Sequence, residues 1–124
     1  MERGNKKMSY CSDVRFRLLK EDYKELEDVY ITELGHDINY ADFWNNKDIY
    51  KDKGDTIYFG WNNTKWYRCD KDFEYVDFIM DYILGLKNYS YAIIGEEFDD
   101  ISCCCEGDIA WIGVKRTFED DTEV

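Results

Sequence analysis

Ser12-Asp13-Val14-Arg15-Phe16-Arg17-Leu18-Leu19 is the stretch on which the reading of the fold turns. Val14, Phe16 and Leu18 occupy alternate positions with Arg15 and Arg17 between them, the pattern of a half-buried strand with one apolar face. From Glu21 onward the period changes. Tyr23, Leu26, Tyr30 and Leu34 recur at three- and four-residue spacing, while Glu25, Asp28 and Glu33 can face water. Residues 21–34 therefore predict an amphipathic helix. Glu21 and Asp22 sit in its first turn, where the macrodipole favours acids, and Gly35 is a stop signal.

Working outward, residues 36–47 are less periodic, but Tyr40, Phe43 and Trp44 are too apolar to stand free. They predict a loop or short helix packed on the core. Residues 48–51 and 56–61 read as two strands joined by the turn Asp52-Lys53-Gly54. Asn62-Asn63 suggests another turn, and Lys65-Trp66-Tyr67 an extension of the sheet. Asp70 is a good N-cap for a second helix whose apolar face is Phe73, Val76, Met80, Ile83 and Leu84, with Ile79 beside it and Asp77 and Asp81 opposite. Gly85 or Asn88 ends it. Residues 89–95 read as a central strand and residues 109–118 as the last one. The expected organisation is a basic flexible N-terminus (1–7), one α+β domain (8–118) and a frayed acidic tail (119–124). The expected architecture is a mainly antiparallel sheet with two helices packed on one face, in a ferredoxin-like arrangement.

Composition narrows the function classes. The 124 residues hold 28 Asp and Glu against 16 Lys and Arg, a net charge of −12. Residues 1–7 set Glu2 against Arg3, Lys6 and Lys7, so everything after them carries −14. Such a field repels nucleic acid and anionic lipid and attracts basic surfaces. Aromatic residues make up 18 %, which argues against disorder. No segment approaches the ~20 apolar residues of a membrane span. Five cysteines, an odd count, with no apolar leader fit a cytoplasmic chain with free thiols.

Catalytic signatures are not found. The sequence has no phosphate-binding glycine loop, no G-x-S-x-G and no H-E-x-x-H, and its single histidine, His36, has no spacing relation to a cysteine. The chain is read as a non-enzyme without a cofactor. Cys103-Cys104-Cys105, with Cys11 and Cys69, could offer thiolates to zinc. No C-x-x-C pair supports this, and buried apolar thiols are the commoner reading. Gly95-Glu96-Glu97-Phe98-Asp99-Asp100-Ile101 is the densest acidic segment before the tail. It lacks the ligand spacing of an EF-hand. Three readings stay open: a solvated loop, a patch of acids around Phe98 aimed at an Arg- or Lys-rich partner, or oxygen ligands for Ca²⁺ or Mg²⁺. Tyr58, Trp61, Trp66 and Tyr67 are either sheet packing or the wall of a small-molecule or nucleotide pocket.

Three segments resemble small, mostly uncharacterised proteins of tailed phages and prophages. Met8-Ser9-Tyr10-Cys11-Ser12-Asp13-Val14 is similar to their M-x-Y-x-S-[DE]-V opening. Trp61 with Lys65-Trp66-Tyr67 is similar to their W-x-x-x-K-W-Y stretch, and residues 95–101 to their G-E-[DE]-aromatic-D-D-I segment. The order agrees over residues 8–118. Cys103-Cys104-Cys105 and the basic first seven residues depart from that pattern. The resemblance implies an intracellular accessory protein of a phage or mobile element, with no residue-level function to carry over. Together with the charge it leads to an expected function. The protein is an acidic inhibitor of anti-CRISPR or anti-restriction type, whose carboxylates stand in for phosphates on the basic surface of a host nucleic-acid-binding protein. The expected carriers are Glu96, Glu97, Phe98, Asp99 and Asp100, with Glu21, Asp22, Glu25 and Asp28. The alternative is a small-molecule or nucleotide-signal sponge built on Tyr58, Trp61, Trp66 and Tyr67.

Overall fold

Strand β1 (Ser12–Leu19) is buried from Val14 through Leu18 without a break, so both of its faces are covered. In the computed structural model, which describes residues 10–97, 100–114 and 118–122, β1 is the middle of a five-stranded sheet. The remaining elements are α1 (Lys20–Leu34), α2 (Ile38–Asn45), β2 (Ile49–Asp52), β3 (Thr56–Thr64), α3 (Glu74–Leu84), β4 (Tyr89–Gly95) and β5 (Ile101–Glu106). The sheet order is β2-β3-β1-β4-β5, and every neighbouring pair is antiparallel. The fold class is α+β, as the alternation predicts.

The helices cover one face. Val14, Phe16 and Leu18 of β1 and Ile57, Phe59 and Trp61 of β3 pack against Tyr23, Leu26 and Tyr30 of α1 and Val76, Ile79 and Ile83 of α3. Three helices rather than two form this layer. The third is α2, which Asp37 caps by accepting from the Asn39 amide at 2.9 Å. Its Trp44 is completely buried and stacks on Tyr30 at 4.8 Å, and Phe43 stacks on Trp61 at 4.4 Å. The Trp61 indole also donates to the Phe43 carbonyl at 2.8 Å. In α3 the predicted face is buried at Val76, Met80 and Ile83 together with the neighbouring Ile79, and only Leu84 departs from it by being exposed.

The opposite face departs most from the sequence reading. Arg15 and Arg17 do not face water, being only 2 % and 7 % exposed. Residues 109–118 do not form a last strand. The last strand is β5, which carries the three consecutive cysteines. Among the described residues beyond it, the only bridge joins Val114 to Phe118. Residues 109–114 and 118–122 instead cross the outer face as a strap. The strap is fixed to each strand in turn. The Cys105 thiol of β5 donates to the Ile109 carbonyl (3.1 Å), the Ser90 hydroxyl of β4 to Ala110 (2.8 Å), and Arg17 of β1 to Ala110 and Trp111 (3.2 and 3.1 Å). The Tyr58 hydroxyl of β3 reaches Asp121 at 2.7 Å, and the Lys51 ammonium of β2 reaches the carbonyls of Asp120 and Asp121. Ile112 and Phe118 close a second small core with Tyr58, Ala92 and Ile94. The expected frayed tail is thus a short 3-10 turn, Glu119–Thr122, with Asp120 buried.

Two further differences have local causes. Asn62-Asn63 does not start a turn: β3 runs on to Thr64, with an irregularity opposite Ser12–Val14 and Asn63 at a φ of 51°, which Asn tolerates. Lys65-Trp66-Tyr67 leaves the sheet, yet Trp66 and Tyr67 are buried. No helix among the described residues is long and apolar enough to cross a membrane.

Gly60 makes the buried arginine possible. It pairs with Arg15 across the β1–β3 ladder, and a Cβ there would lie 2.0 Å from the Val14 carbonyl oxygen and 2.8 Å from the Arg15 Cδ. Gly60→Ala should therefore destabilise the fold by about 1–3 kcal/mol, the range for overpacking a filled site. Urea unfolding measures this, and a variant as stable as the parent would show that β3 and Arg15 can move apart.

Candidate functional site

β1 passes into α1 with no intervening loop, and the Lys20 amide donates to the Asp55 carbonyl at 2.8 Å. This junction fixes where the helix acids stand. Glu21, Glu25 and Asp28, at i, i+4 and i+7, make one exposed line along α1. Asp22 beside them is half-buried, and its carboxyl is raised by burial and by the neighbouring charges of Glu21 and Glu25. Glu25 accepts from the Tyr82 hydroxyl of α3 at 2.6 Å, and burial together with that contact pushes the Tyr82 pKa well up. Among the described residues, none of these four acids is in an ion pair. The acids of α3 differ, because Asp77 and Asp81 are held by Arg68 at 3.2 and 3.1 Å.

The second predicted acidic group follows β4. Glu96 and Glu97 are exposed in a turn closed by Gly95 N to Asp100 O (2.7 Å) and Asp100 N to Glu97 O (3.0 Å). Two of its acids already have internal partners: Glu96 accepts from the Cys11 amide at 2.8 Å, and Asp100 accepts from the Tyr10 hydroxyl. A Cβ at Gly95 would meet the ends of the Asp100 and Tyr10 side chains, which would have to shift. Phe98 and Asp99 lie outside the described residues. The ladder pairs Ser12 with Gly95 and Leu18 with Tyr89, so this turn and the start of α1 lie at opposite ends of β1. At the rise of a strand that is a separation of roughly 20 Å. The predicted carboxylates thus form two patches, not one.

The four candidate ligand-binding aromatics are divided by the sheet. Tyr58 lies on the outer face beneath the strap, whereas Trp61 and Trp66 belong to the helix-side core, 6.0 Å apart and stacked. Tyr67 is buried and donates to the Tyr10 carbonyl at 2.8 Å. Tyr58 is thus separated from Trp61 and Trp66 by the sheet itself. An open cleft of about 500 Å³ lies instead at the start of α1, lined by Leu19, Lys20, Glu21, Lys24, Gly54 and Asp55, with no aromatic ring. The five cysteines are free, and among the described residues no group of three or more His, Cys, Asp or Glu is placed to hold a metal ion.

The sequence reading missed three cations that the fold takes inside. Lys47 lies 3.8 Å above the Trp44 ring and donates to the Trp44 carbonyl at 2.7 Å. Burial pulls its pKa down to about 8 against the opposing charge of Glu27. Arg15 donates from Nε and Nη2 to the two Asp121 oxygens (3.0 and 2.8 Å), from Nη1 to the carbonyls of Val14 and Trp61, and from Nη2 to Asn62 Oδ1. The Phe118 ring covers it at 4.6 Å. Arg17 donates to Asp120 at 2.8 Å and lies 5.2 Å over the Tyr58 ring. The only sequence signal for this pairing was two arginines on one strand and two aspartates near the chain end.

Burial alone would raise the Asp121 carboxyl, but hydrogen bonds from Arg15 and Tyr58 and the charges of Arg15 and Lys51 outweigh it and hold the pKa below the usual 3.8. A folded-state pKa below the unfolded one contributes stability that is complete above the unfolded value and drains away as the pH falls through the folded value. Asp121→Asn should cost about 2–3 kcal/mol near neutral pH, less than for a fully buried pair because the Asp121 side chain is 27 % exposed. The deficit relative to the parent should shrink as the pH falls below 4. Chemical denaturation of both proteins across that pH range checks it, and a deficit independent of pH would assign the loss to packing alone.

No protein-family model, no curated protein and no solved structure matches this chain.

Proposed function

We propose that this protein is a non-enzymatic binding protein that engages the basic, nucleic-acid-binding surface of a partner through the acids at the start of α1. One observation carries the reading: Glu21, Asp22, Glu25 and Asp28 stand together without an ion pair among the described residues. Like charges at i and i+4 cost a helix about 0.2–0.5 kcal/mol, and only Glu21 and Asp22 recover part of that from the helix dipole. Arg15 and Arg17 are turned inward together with the carboxylates that neutralise them, so the rest of the chain keeps the whole acidic excess of −12. Carboxylates spaced along a rigid helix can occupy the Arg and Lys side chains that otherwise hold phosphates. The motif resemblance to tailed-phage proteins supports an anti-defence context, an inhibitor of anti-CRISPR or anti-restriction type. Glu96 and Glu97, at the far end of β1, form a second contact on the same partner or none. No observation favours the small-molecule reading.

We further read the frame β1-α1-β2-β3-α3-β4, ordered β2-β3-β1-β4 in the sheet, as a ferredoxin-like core to which α2 and β5 are added. That architecture hosts many functions, so it lends no weight to any one of them.

The test is capture from host lysate on the immobilised chain at low and at high salt. A basic nucleic-acid-handling protein should be retained at low salt and released at high salt. The triple variant Glu21→Lys/Glu25→Lys/Asp28→Lys should lower its retention about tenfold or more. A partner held equally well at high salt, or by the charge-reversed variant, would refute the proposal.

A further inference from the structure

The outer face of the sheet carries a cationic site that the chain fills with its own carboxylates. Arg15 and Arg17 are two positions apart on β1, so their side chains leave the same face roughly 7 Å apart. Around them stand Lys51 of β2 and Tyr58 and Asn62 of β3. Asp121 sits in this ring with the two-point geometry by which an arginine fork takes a carboxylate or a phosphate, and one of its oxygens also accepts from the Tyr58 hydroxyl. Asp120 meets Arg17 at 2.8 Å.

We propose that Arg15, Arg17, Lys51 and Tyr58 form a binding site for an oxyanion with two negative groups, carboxylate or phosphate, which Asp120 and Asp121 occupy in cis, so that the strap and such a ligand exclude one another. Two features favour exchange over a fixed structural pin. First, holding the strap down does not require charge. Apolar residues of similar volume do that as well as a buried ion pair or better, and Ile112 and Phe118 already plug this face. Second, no sheet ladder fastens residues 118–122. Their regular structure is one 3-10 turn and one bridge to Val114, both internal to the strap. Lifting Asp120 and Asp121 out therefore gives up side-chain contacts and two carbonyl contacts to Lys51, which an incoming oxyanion replaces in kind. The site is separate from the acids of α1, and its failure would leave the proposed function untouched.

The experiment uses the full chain and the double variant Asp120→Asn/Asp121→Asn. Thermal unfolding is followed in millimolar sodium pyrophosphate, in sodium succinate and in sodium chloride at matched ionic strength. The variant should gain about 3 °C or more in pyrophosphate or succinate over chloride. The parent should need about tenfold more ligand for the same gain, because its site is already occupied. In the parent, amide hydrogen exchange at residues 118–122 should accelerate with the effective anion and not with chloride. A response to pyrophosphate alone assigns phosphate chemistry, and a response to succinate alone assigns carboxylate chemistry. A folded variant whose melting temperature follows ionic strength only would overturn the proposal. Should the variant not fold, exchange in the parent decides: protection of residues 118–122 unchanged by either anion overturns it equally.

Discussion

Two guanidinium groups on the central strand of a sheet cannot be left in a dry interior without anions, and this requirement organises the protein. β1 places Val14, Phe16 and Leu18 against the helices and Arg15 and Arg17 on the reverse. The helix side is satisfied by area. The reverse needs charge, hydrogen bonds and a cover, and residues 109–122 supply them from the far end of the chain, apart from residues 115–117, which are not described. The chain therefore closes on its own first strand. Gly60 follows from the same demand, since the backbone opposite Arg15 has no room for a side chain. So does the hydroxyl of Tyr58, which would otherwise be a polar atom buried without a partner.

The electrostatics divide along this plane. On the outer face, Arg15 and Arg17 each meet an aspartate, and Lys51 meets the backbone carbonyls of the same two residues. On the helix layer, α3 has Arg68 to hold its acids and α1 has no equivalent. A net charge of −12 says nothing about that distribution. Arg15 and Arg17 are taken inside with Asp121 and Asp120, and Glu21, Asp22, Glu25 and Asp28 are left without an ion pair among the described residues. In the turn after β4, Glu96 and Asp100 receive an amide and a phenol from residues 11 and 10, much as Glu25 of α1 receives the Tyr82 phenol.

Much of this was legible in the residues. The change of period after Leu19, the stop at Gly35, the turn at Asp52-Lys53-Gly54 and, of the two stops offered, Gly85 correspond to observed boundaries, because each rests on a local preference of the backbone, whereas Asp70 caps a 3-10 turn over Lys71–Phe73 and α3 begins after it. The cysteines read in sequence as buried apolar thiols, yet none is fully buried: on β5, Cys103 is exposed, Cys104 packs on the helix-side core and Cys105 reaches the strap. Residues 109–118 misled because β-branched and aromatic content measures burial on a pleated surface as much as strand formation. Ile112 and Phe118 are apolar because they plug a face, and they do so outside any strand.

What the sequence determined by itself is periodicity: which positions of β1, α1 and α3 share a face, and how many charges the chain carries. Those follow from the geometry of one element and from counting. Only the tertiary structure decided what lies over each face, because an alternation of Arg with Phe is equally compatible with water or with aspartates more than a hundred residues away. The pairing of Arg15 with Asp121, the separation of the two acidic patches by the length of β1, and the burial of Tyr58 and Trp61 on opposite sides of one sheet are all relations between distant segments. Their free energy resides in contacts that no local window of the chain contains.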